Sequence, residues 1–199
     1  MSNHYFDDSL ASEQEQFAKA DQFYNNFYRP NSIKRYKFEN EEEKSFQQSD
    51  IDLTLSFDNS KIDISEKFRL QYYNDLLLEI YSAYDSKPGW AFDSKANELF
   101  YFIIPKNKVI IIKDMQAIVK FFNSTLYPSI PKSVFSDIMK INGSGKLPGS
   151  VRLNNKKIYQ VMFVKAHNIQ NTPYDTISIA IPFSMLSDNN IKLVIKDII

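Results

Sequence analysis

The chain has 199 residues, of which 43% are hydrophobic and 24% charged; this is ordinary globular composition and excludes a disordered chain. Its 24 basic and 24 acidic residues cancel, which excludes a general grip on nucleic acid through bulk positive charge. The sequence has no cysteine, so disulfides, thiolate catalysis and zinc–thiolate sites are excluded, and we expect neither a signal peptide nor a membrane span.

The first predicted element is a helix, because apolar residues recur at helical spacing: Phe17, Ala20, Tyr24 and Phe27. Ser9 or Ser12 can cap this helix, and Pro30 cannot continue it. Glu13 extends the apolar stripe by one turn upstream. A carboxylate at that place is either a solvated end or a group aimed into a site.

A short strand with a basic face follows at residues 33–38. The acidic run at residues 39–44 is predicted to be a solvated turn. Residues 50–57 and 61–69 then alternate between apolar and polar side chains, and Asp58-Asn59-Ser60 supplies turn residues between them. The pattern predicts a β-hairpin in which one polar face carries Asp50 and Asp52 on the first strand and Lys67 on the second.

The rest of the chain is predicted to add helices and strands in turn. A helix is expected at residues 74–84, with Asp75 and Glu79 four residues apart on one edge, and another at residues 115–126. Two strands are predicted between these helices, at residues 99–104 and 109–112. Three more are predicted after them, at residues 158–164, 176–181 and 191–195. The sequence therefore predicts an α/β core at residues 1–126, with a β-rich extension at residues 127–199 packed on it.

The polar face of the hairpin has the residue types needed to cleave a phosphodiester. Such a site needs a divalent cation, an activated water and a stabilised leaving oxygen. Magnesium takes one or two carboxylates, which Asp50 and Asp52 can supply, and Lys67 can orient or help deprotonate the attacking water, or hold the phosphate. Arg69 and Lys95 are candidate phosphate ligands. The alternative is an ordinary solvated sheet face with a cross-strand ion pair.

The order helix, strand, strand with Asp, strand with an acid and a lysine, helix and strand resembles the PD-(D/E)XK, or restriction-endonuclease-like, nucleases over residues 12–112. The resemblance implies a mixed central sheet flanked by helices and cleavage of DNA, in some members RNA, with Mg²⁺ or Mn²⁺. It places the metal-binding aspartate at Asp52 or Asp50 and the lysine at Lys67. Members similar to phage junction resolvases also use a glutamate on the first helix, and Glu13 occupies the comparable place.

The sequence departs from this motif at Ser65, where the family has an acid two positions before the lysine. Either a bulge brings Glu66 into the site, or Glu79 replaces the missing acid. We favour Glu79, because alternation places Glu66 among the core-facing residues, where it needs a basic partner such as Arg69.

The missing acid also leaves a second function open. In this second interpretation, the chain is a catalytically inactive protein of the same fold, which binds nucleic acid or takes part in phage or bacterial assembly. For either function we expect the cytoplasm of a bacterium or of a phage-infected cell. The sequence leaves open whether the protein forms a homodimer.

Overall fold

The structure is a computed structural model that describes residues 4–154, 156–169 and 173–198, with side chains from residue 15 onward. The protein is mixed α/β and its chain divides into two compact units. Unit 1 consists of Met1–Tyr72, Ala96–Ile112 and Val194–Ile199, and unit 2 of Tyr73–Lys95 and Lys113–Leu193. This division differs from the contiguous boundary at residue 126 that we expected from the sequence.

Six α-helices form in the described residues: α1 (His4–Phe27), α2 (Glu41–Gln48), α3 (Trp90–Asp93), α4 (Met115–Phe121), α5 (Ser133–Met139) and α6 (Phe183–Asp188). The first seven strands are β1 (Ser32–Arg35), β2 (Leu53–Ser56), β3 (Lys61–Arg69), β4 (Asp75–Ala83), β5 (Lys87–Pro88), β6 (Glu98–Ile103) and β7 (Lys108–Ile112). Four more strands follow: β8 (Gly145–Arg152), β9 (Ile158–Asn168), β10 (Tyr174–Pro182) and β11 (Val194–Asp197). None of the helices in the described part of the chain has the length and apolar character needed to cross a membrane.

Unit 1 is built on a six-stranded sheet in the order β1-β2-β3-β6-β7-β11. Strands β3 and β6 run parallel, and every other neighbouring pair in this sheet is antiparallel. The predicted hairpin of β2 and β3 is confirmed, with Leu53 opposite Ile64 and Leu55 opposite Ile62. The buried face that these residues form fixes the register, because a slip of one residue would turn them all outward.

Helix α1 covers one face of this sheet, as its apolar stripe predicts. Ala20, Phe23 and Tyr24 on the helix belong to one buried cluster with sheet residues that include Ile64 and Phe100. The rings of Tyr24 and Phe100 meet edge to face, with centroids 4.9 Å apart, an arrangement that aromatic pairs prefer. The helix ends at Phe27, before Arg29 takes a left-handed conformation (φ 51°) and Pro30 follows.

We predicted a solvated turn at residues 39–44. This prediction is wrong, because Asn40 is the N-cap of helix α2 and Glu41 is its first residue. The side chain of Asn40 caps the helix by accepting a hydrogen bond from the backbone N–H of Glu43 at 2.8 Å. The carboxylate of Glu43 reaches back and accepts from the backbone N–H groups of Lys37 and Phe38, each at 3.0 Å. Negative charge in a first turn also complements the helix dipole, so the charge run stabilises a helix here.

The prediction of a helix at residues 74–84 is wrong, because this segment is strand β4. Leu76, Leu78 and Ile80 are fully buried, and the residues between them are half-buried, which is the period of a strand. Strand β4 pairs with β10 in the five-stranded sheet of unit 2, in the order β5-β4-β10-β9-β8. The apolar residues match helical spacing as well as alternation, and the pairing with β10 decides between the two.

The predicted strands β6, β7, β9, β10 and β11 are present, with small shifts at their ends. Helix α4 ends at Phe121, and a π-helical turn at Phe122–Leu126 completes the segment predicted as one helix. Unit 2 also has an aromatic cluster, in which Phe92 meets the ring of Tyr127 edge to face at 4.8 Å.

Candidate active site

Asp50, Asp52 and Lys67 converge at one end of the β2–β3 hairpin. The ammonium of Lys67 donates to Asp50 Oδ1 at 2.7 Å and to Asp52 Oδ2 at 3.2 Å. The side chains of Lys67 and Asp52 are 26% and 31% exposed, so a ligand in solution can reach both. Lys67 lies on β3, as predicted, whereas Asp50 and Asp52, which were predicted on the first strand of the hairpin, both precede β2.

The end of α2 positions Asp50, which lies before β2 rather than on it. Asp50 adopts a left-handed conformation (φ 55°), which is common for Asp just after a helix. Its backbone N–H donates to Gln47 O, and that of Ile51 donates to Phe46 O, so the helix end is closed by hydrogen bonds. The side chain of Asp50 is 11% exposed, and its Oδ2 has no hydrogen-bond partner among the described residues.

Asp52 is held by the backbone of the neighbouring strand. Its N–H donates to Ile64 O at 2.9 Å, and its carboxylate Oδ2 accepts from the backbone N–H of Glu66 at 2.7 Å. Its own carbonyl accepts from Tyr36 N–H at 3.1 Å. These contacts fix the carboxylate in one orientation, as a ligand-binding group requires.

The charge of Lys67 is stabilised by its two carboxylate neighbours. Burial alone would lower the pKa of Lys67, but the charges of Asp50 and Asp52 and their hydrogen bonds outweigh burial and raise this pKa above its ordinary value. Lys67 is therefore a cation at neutral pH and can act as an electrostatic group, whereas an unprotonated amine would be needed for a general base.

Glu66 points away from Lys67 and into the core beneath α1. Its Oε2 accepts from Arg35 Nη1 at 2.6 Å, and its Oε1 accepts from Arg35 Nη2 at 3.2 Å and from Tyr24 OH at 2.8 Å. Arg35 in turn donates through Nε to Asp21 at 2.9 Å. The buried carboxylate thus has the basic partner that its burial requires. That partner is Arg35, whereas the example we gave from the sequence was Arg69.

Burial raises the pKa of Glu66 above its ordinary value, although Arg35 and Tyr24 favour the charged form. Burial also raises the pKa of Tyr24, and the negative charge of Glu66 adds to that effect. Sequence analysis missed Arg35 and Tyr24 as partners of Glu66. The available signal was that Arg35 lies on a predicted basic strand next in order to the hairpin.

Ser65 stands where the family motif has an acid. It is fully buried, and its Oγ has no hydrogen-bond partner among the described residues. A serine hydroxyl cannot replace a carboxylate as a charged metal ligand. This position therefore adds no charge to the site.

The other predicted site residues lie in different parts of the structure. Arg69 is half-buried at the end of β3, on the same strand as Lys67. Glu79 and Lys95 belong to unit 2, where Glu79 accepts a hydrogen bond from the hydroxyl of Ser82 at 2.7 Å. Glu13 is on α1, but its side chain is outside the described residues.

Within the part of the chain that the structure describes, no three His, Cys, Asp or Glu side chains come together as ligands for a metal ion. Asp50 and Asp52 nevertheless supply the one or two carboxylates that magnesium takes when waters and substrate oxygens complete its shell. Oδ2 of Asp50 is buried and has no hydrogen-bond partner among the described residues, so a cation would have to displace the surrounding side chains to use it as a ligand.

Comparison of the chain with protein-family models, with curated proteins and with solved structures finds no match.

Proposed function

We propose that unit 1 carries the active site of a metal-dependent nuclease that hydrolyses phosphodiester bonds, with DNA as the expected substrate. The observation that supports this most directly is the convergence of Asp50 and Asp52 on the ammonium of Lys67. Two oxygen ligands for a hard cation and one fixed positive charge are the protein groups that phosphodiester hydrolysis needs.

The order of elements in unit 1 also supports the proposal. Apart from helix α2, which lies between β1 and β2 and was not expected, helix α1 is followed by the antiparallel strands β1 to β3 and later by β6, which is parallel to β3. This is the order of helix and strands that led us to a restriction-endonuclease-like core. One departure is that β4, β5 and α3 occupy the place of the expected helix between β3 and β6.

Asp50 and Asp52 would hold Mg²⁺ or Mn²⁺, and the cation would neutralise phosphate charge and polarise the reacting bond. Lys67, which is positively charged, would bind a phosphate oxygen and stabilise the charge that develops on it. The hydrogen bond from Glu66 N–H would keep Asp52 in the orientation needed for binding. Glu66 itself would act as a structural group, through its pair with Arg35.

The direct test is cleavage of DNA by the full chain in Mg²⁺, compared with the variant Lys67→Ala. We expect the variant to lose at least ~100-fold in rate, because it lacks the positive charge next to the phosphate. Lys61→Ala, at the opposite end of β3, is the matched control and should cleave as the wild type does. Circular dichroism checks that each variant is folded, and equal cleavage by Lys67→Ala contradicts the mechanism.

A second candidate is a nucleic-acid-binding protein without catalytic activity, which the serine at position 65 favours. Calorimetry with Mn²⁺ distinguishes the two functions without measuring activity. A nuclease should bind the ion and lose most of that binding in the variant Asp52→Asn. A binding protein should give the same small heat with both proteins.

A further inference from the structure

The carboxyl ends of the two parallel strands of unit 1 lie side by side. In the register of β3 and β6, Lys67 is opposite Tyr101 and Arg69 is opposite Ile103, so both strands end at the same edge of the sheet. The chain continues from β3 into Leu70–Tyr72, and from β6 into the 3₁₀ turn Ile104–Lys106. In open, mostly parallel α/β sheets, ligands bind at the carboxyl ends of the strands, and β3 and β6 form a parallel pair of that kind within a mostly antiparallel sheet.

This edge is next to the candidate active site. Lys67 and Arg69 are two residues apart on β3, so their side chains project from the same face, about 7 Å apart along the strand. Arg69 therefore lies between Lys67 and the residues that follow β3. Lys67, Arg69 and Lys106 bring three cationic side chains to this end of the sheet, where the carboxylates of Asp50 and Asp52 pair with Lys67.

Large apolar side chains are exposed at the same edge. Leu70 is 63% exposed and Tyr72 is 47% exposed, whereas the aromatic residues under α1 are buried. The ammonium of Lys106 lies 4.7 Å from the centre of the Tyr72 ring. Tyr72 is not among the described residues of the core cluster of unit 1, and an accessible ring with a cationic group beside it suits the stacking of a ligand.

We propose that this edge binds an unpaired segment of nucleic acid, with a base stacked on Tyr72 and the adjacent phosphates held by Lys106 and Arg69. Stacking on a side chain needs the face of a base that is not covered by its neighbours in a duplex. The substrate class is therefore nucleic acid with a single-stranded end, flap or junction, and an intact duplex is a poorer ligand. This inference rests on the proposed function, since it names the substrate of the same site.

The test measures binding of the full chain by fluorescence anisotropy, in EDTA so that no strand is cut. The probes are a labelled single-stranded oligonucleotide, a blunt duplex of the same sequence and a duplex with a single-stranded overhang. The variants are Tyr72→Ala, Tyr72→Phe and Lys106→Ala. Lys61→Ala is the control, because it removes an exposed lysine from the other end of β3.

We expect the single strand and the overhang to bind more tightly than the blunt duplex. Tyr72→Ala should weaken binding of the single strand at least about fivefold, and Tyr72→Phe should restore it, because the ring provides the stacking. Lys106→Ala should reduce the salt dependence of binding by about one released ion, and Lys61→Ala should change nothing. Unchanged affinity in Tyr72→Ala, or equal binding of all three probes, overturns the inference.

The two proposals fail in different ways. Loss of single-strand binding in Tyr72→Ala, with no metal-dependent cleavage by the wild type, keeps the binding edge and rejects the nuclease. Cleavage that depends on Lys67, together with normal binding by Tyr72→Ala, keeps the nuclease and rejects the binding edge.

Discussion

Arg35 is the residue on which the buried charge of unit 1 depends. Its side chain is 20% exposed, and the side chain of Glu66, whose carboxylate it binds, is 2% exposed. Removal of one partner from a buried ion pair leaves the other charge without compensation. We expect Arg35→Ala to lower the free energy of unfolding by about 3–5 kcal/mol, measured by urea denaturation.

Lys34→Ala provides the matched comparison, because Lys34 is the exposed neighbour of Arg35 on β1. Its unfolding free energy should lie within about 0.5 kcal/mol of the wild-type value. A similar small effect of Arg35→Ala would mean that Glu66 is solvated or neutral without its partner.

Glu66 should give the protein a pH-dependent stability of a defined sign. Because its pKa in the folded protein is above the ordinary value of 4.5, the folded state holds a proton that the unfolded chain has lost. The contribution of this group to stability is therefore fully present below the unfolded pKa and is lost as the pH rises through the folded pKa.

The variant Glu66→Gln does not titrate and removes this dependence. We expect the unfolding free energy of the wild type, minus that of the variant, to fall as the pH rises above the ordinary pKa of 4.5. Urea denaturation at a series of pH values measures the difference. A difference that grows with pH would show that Arg35 lowers the pKa of Glu66 below its ordinary value.

At the scale of secondary-structure elements, helix α2 has a capping residue, Asn40, before its first turn and a candidate active-site residue, Asp50, just after its end. Asn40 caps its beginning, and its closed end holds Asp50 in the left-handed conformation that brings the carboxylate to Lys67. We expect Asn40→Ala to cost about 1 kcal/mol of stability and to speed hydrogen exchange of the α2 amides. Asn40→Asp keeps a capping oxygen and should retain the wild-type exchange, so equal exchange in all three proteins contradicts the role of the cap.

The sequence pattern alone predicts an element correctly where the spacing of its apolar residues fits a strand or a helix but not both. Strand β2 alternates strictly, β3 alternates except at Glu66, and a turn separates them, so the hairpin and the place of Lys67 on its second strand follow from the sequence. The segment of β4 matches helical and strand spacing equally well, and its state is set by pairing with β10, about 100 residues later in the chain. The contact between Arg35 and Glu66 also depends on tertiary packing, and no sequence spacing specifies it.

At the scale of the whole molecule, unit 1 needs a segment that comes after all of unit 2. Ile198 is 4% exposed in the core cluster under α1, and its N–H donates to Asn107 O at 2.9 Å. We expect Ile198→Ala to lower stability by about 2–4 kcal/mol, because the shortened side chain leaves a cavity. Ile195 on β11 is 60% exposed, and Ile195→Ala should have little effect in the same denaturation measurement.

Equal stability of these two variants would mean that the segment after Leu193 does not contribute to the core. Separate denaturation curves from Trp90 fluorescence and from circular dichroism would show whether unit 2 keeps its structure when Ile198→Ala weakens unit 1. Trp90 is the only tryptophan of the chain and belongs to unit 2.

The position of β11 has a consequence for synthesis on the ribosome. When strand β7 leaves the exit tunnel, its partner β11 has not been made. The backbone groups of β7 that later pair with β11 therefore stay unpaired while Lys113–Leu193 is translated. An unpaired strand edge is a template for pairing with other chains, so nascent chains are most open to aggregation during this interval. Slower translation of unit 2 should therefore lower the soluble yield, and coexpressed chaperones that cover exposed strands should restore it.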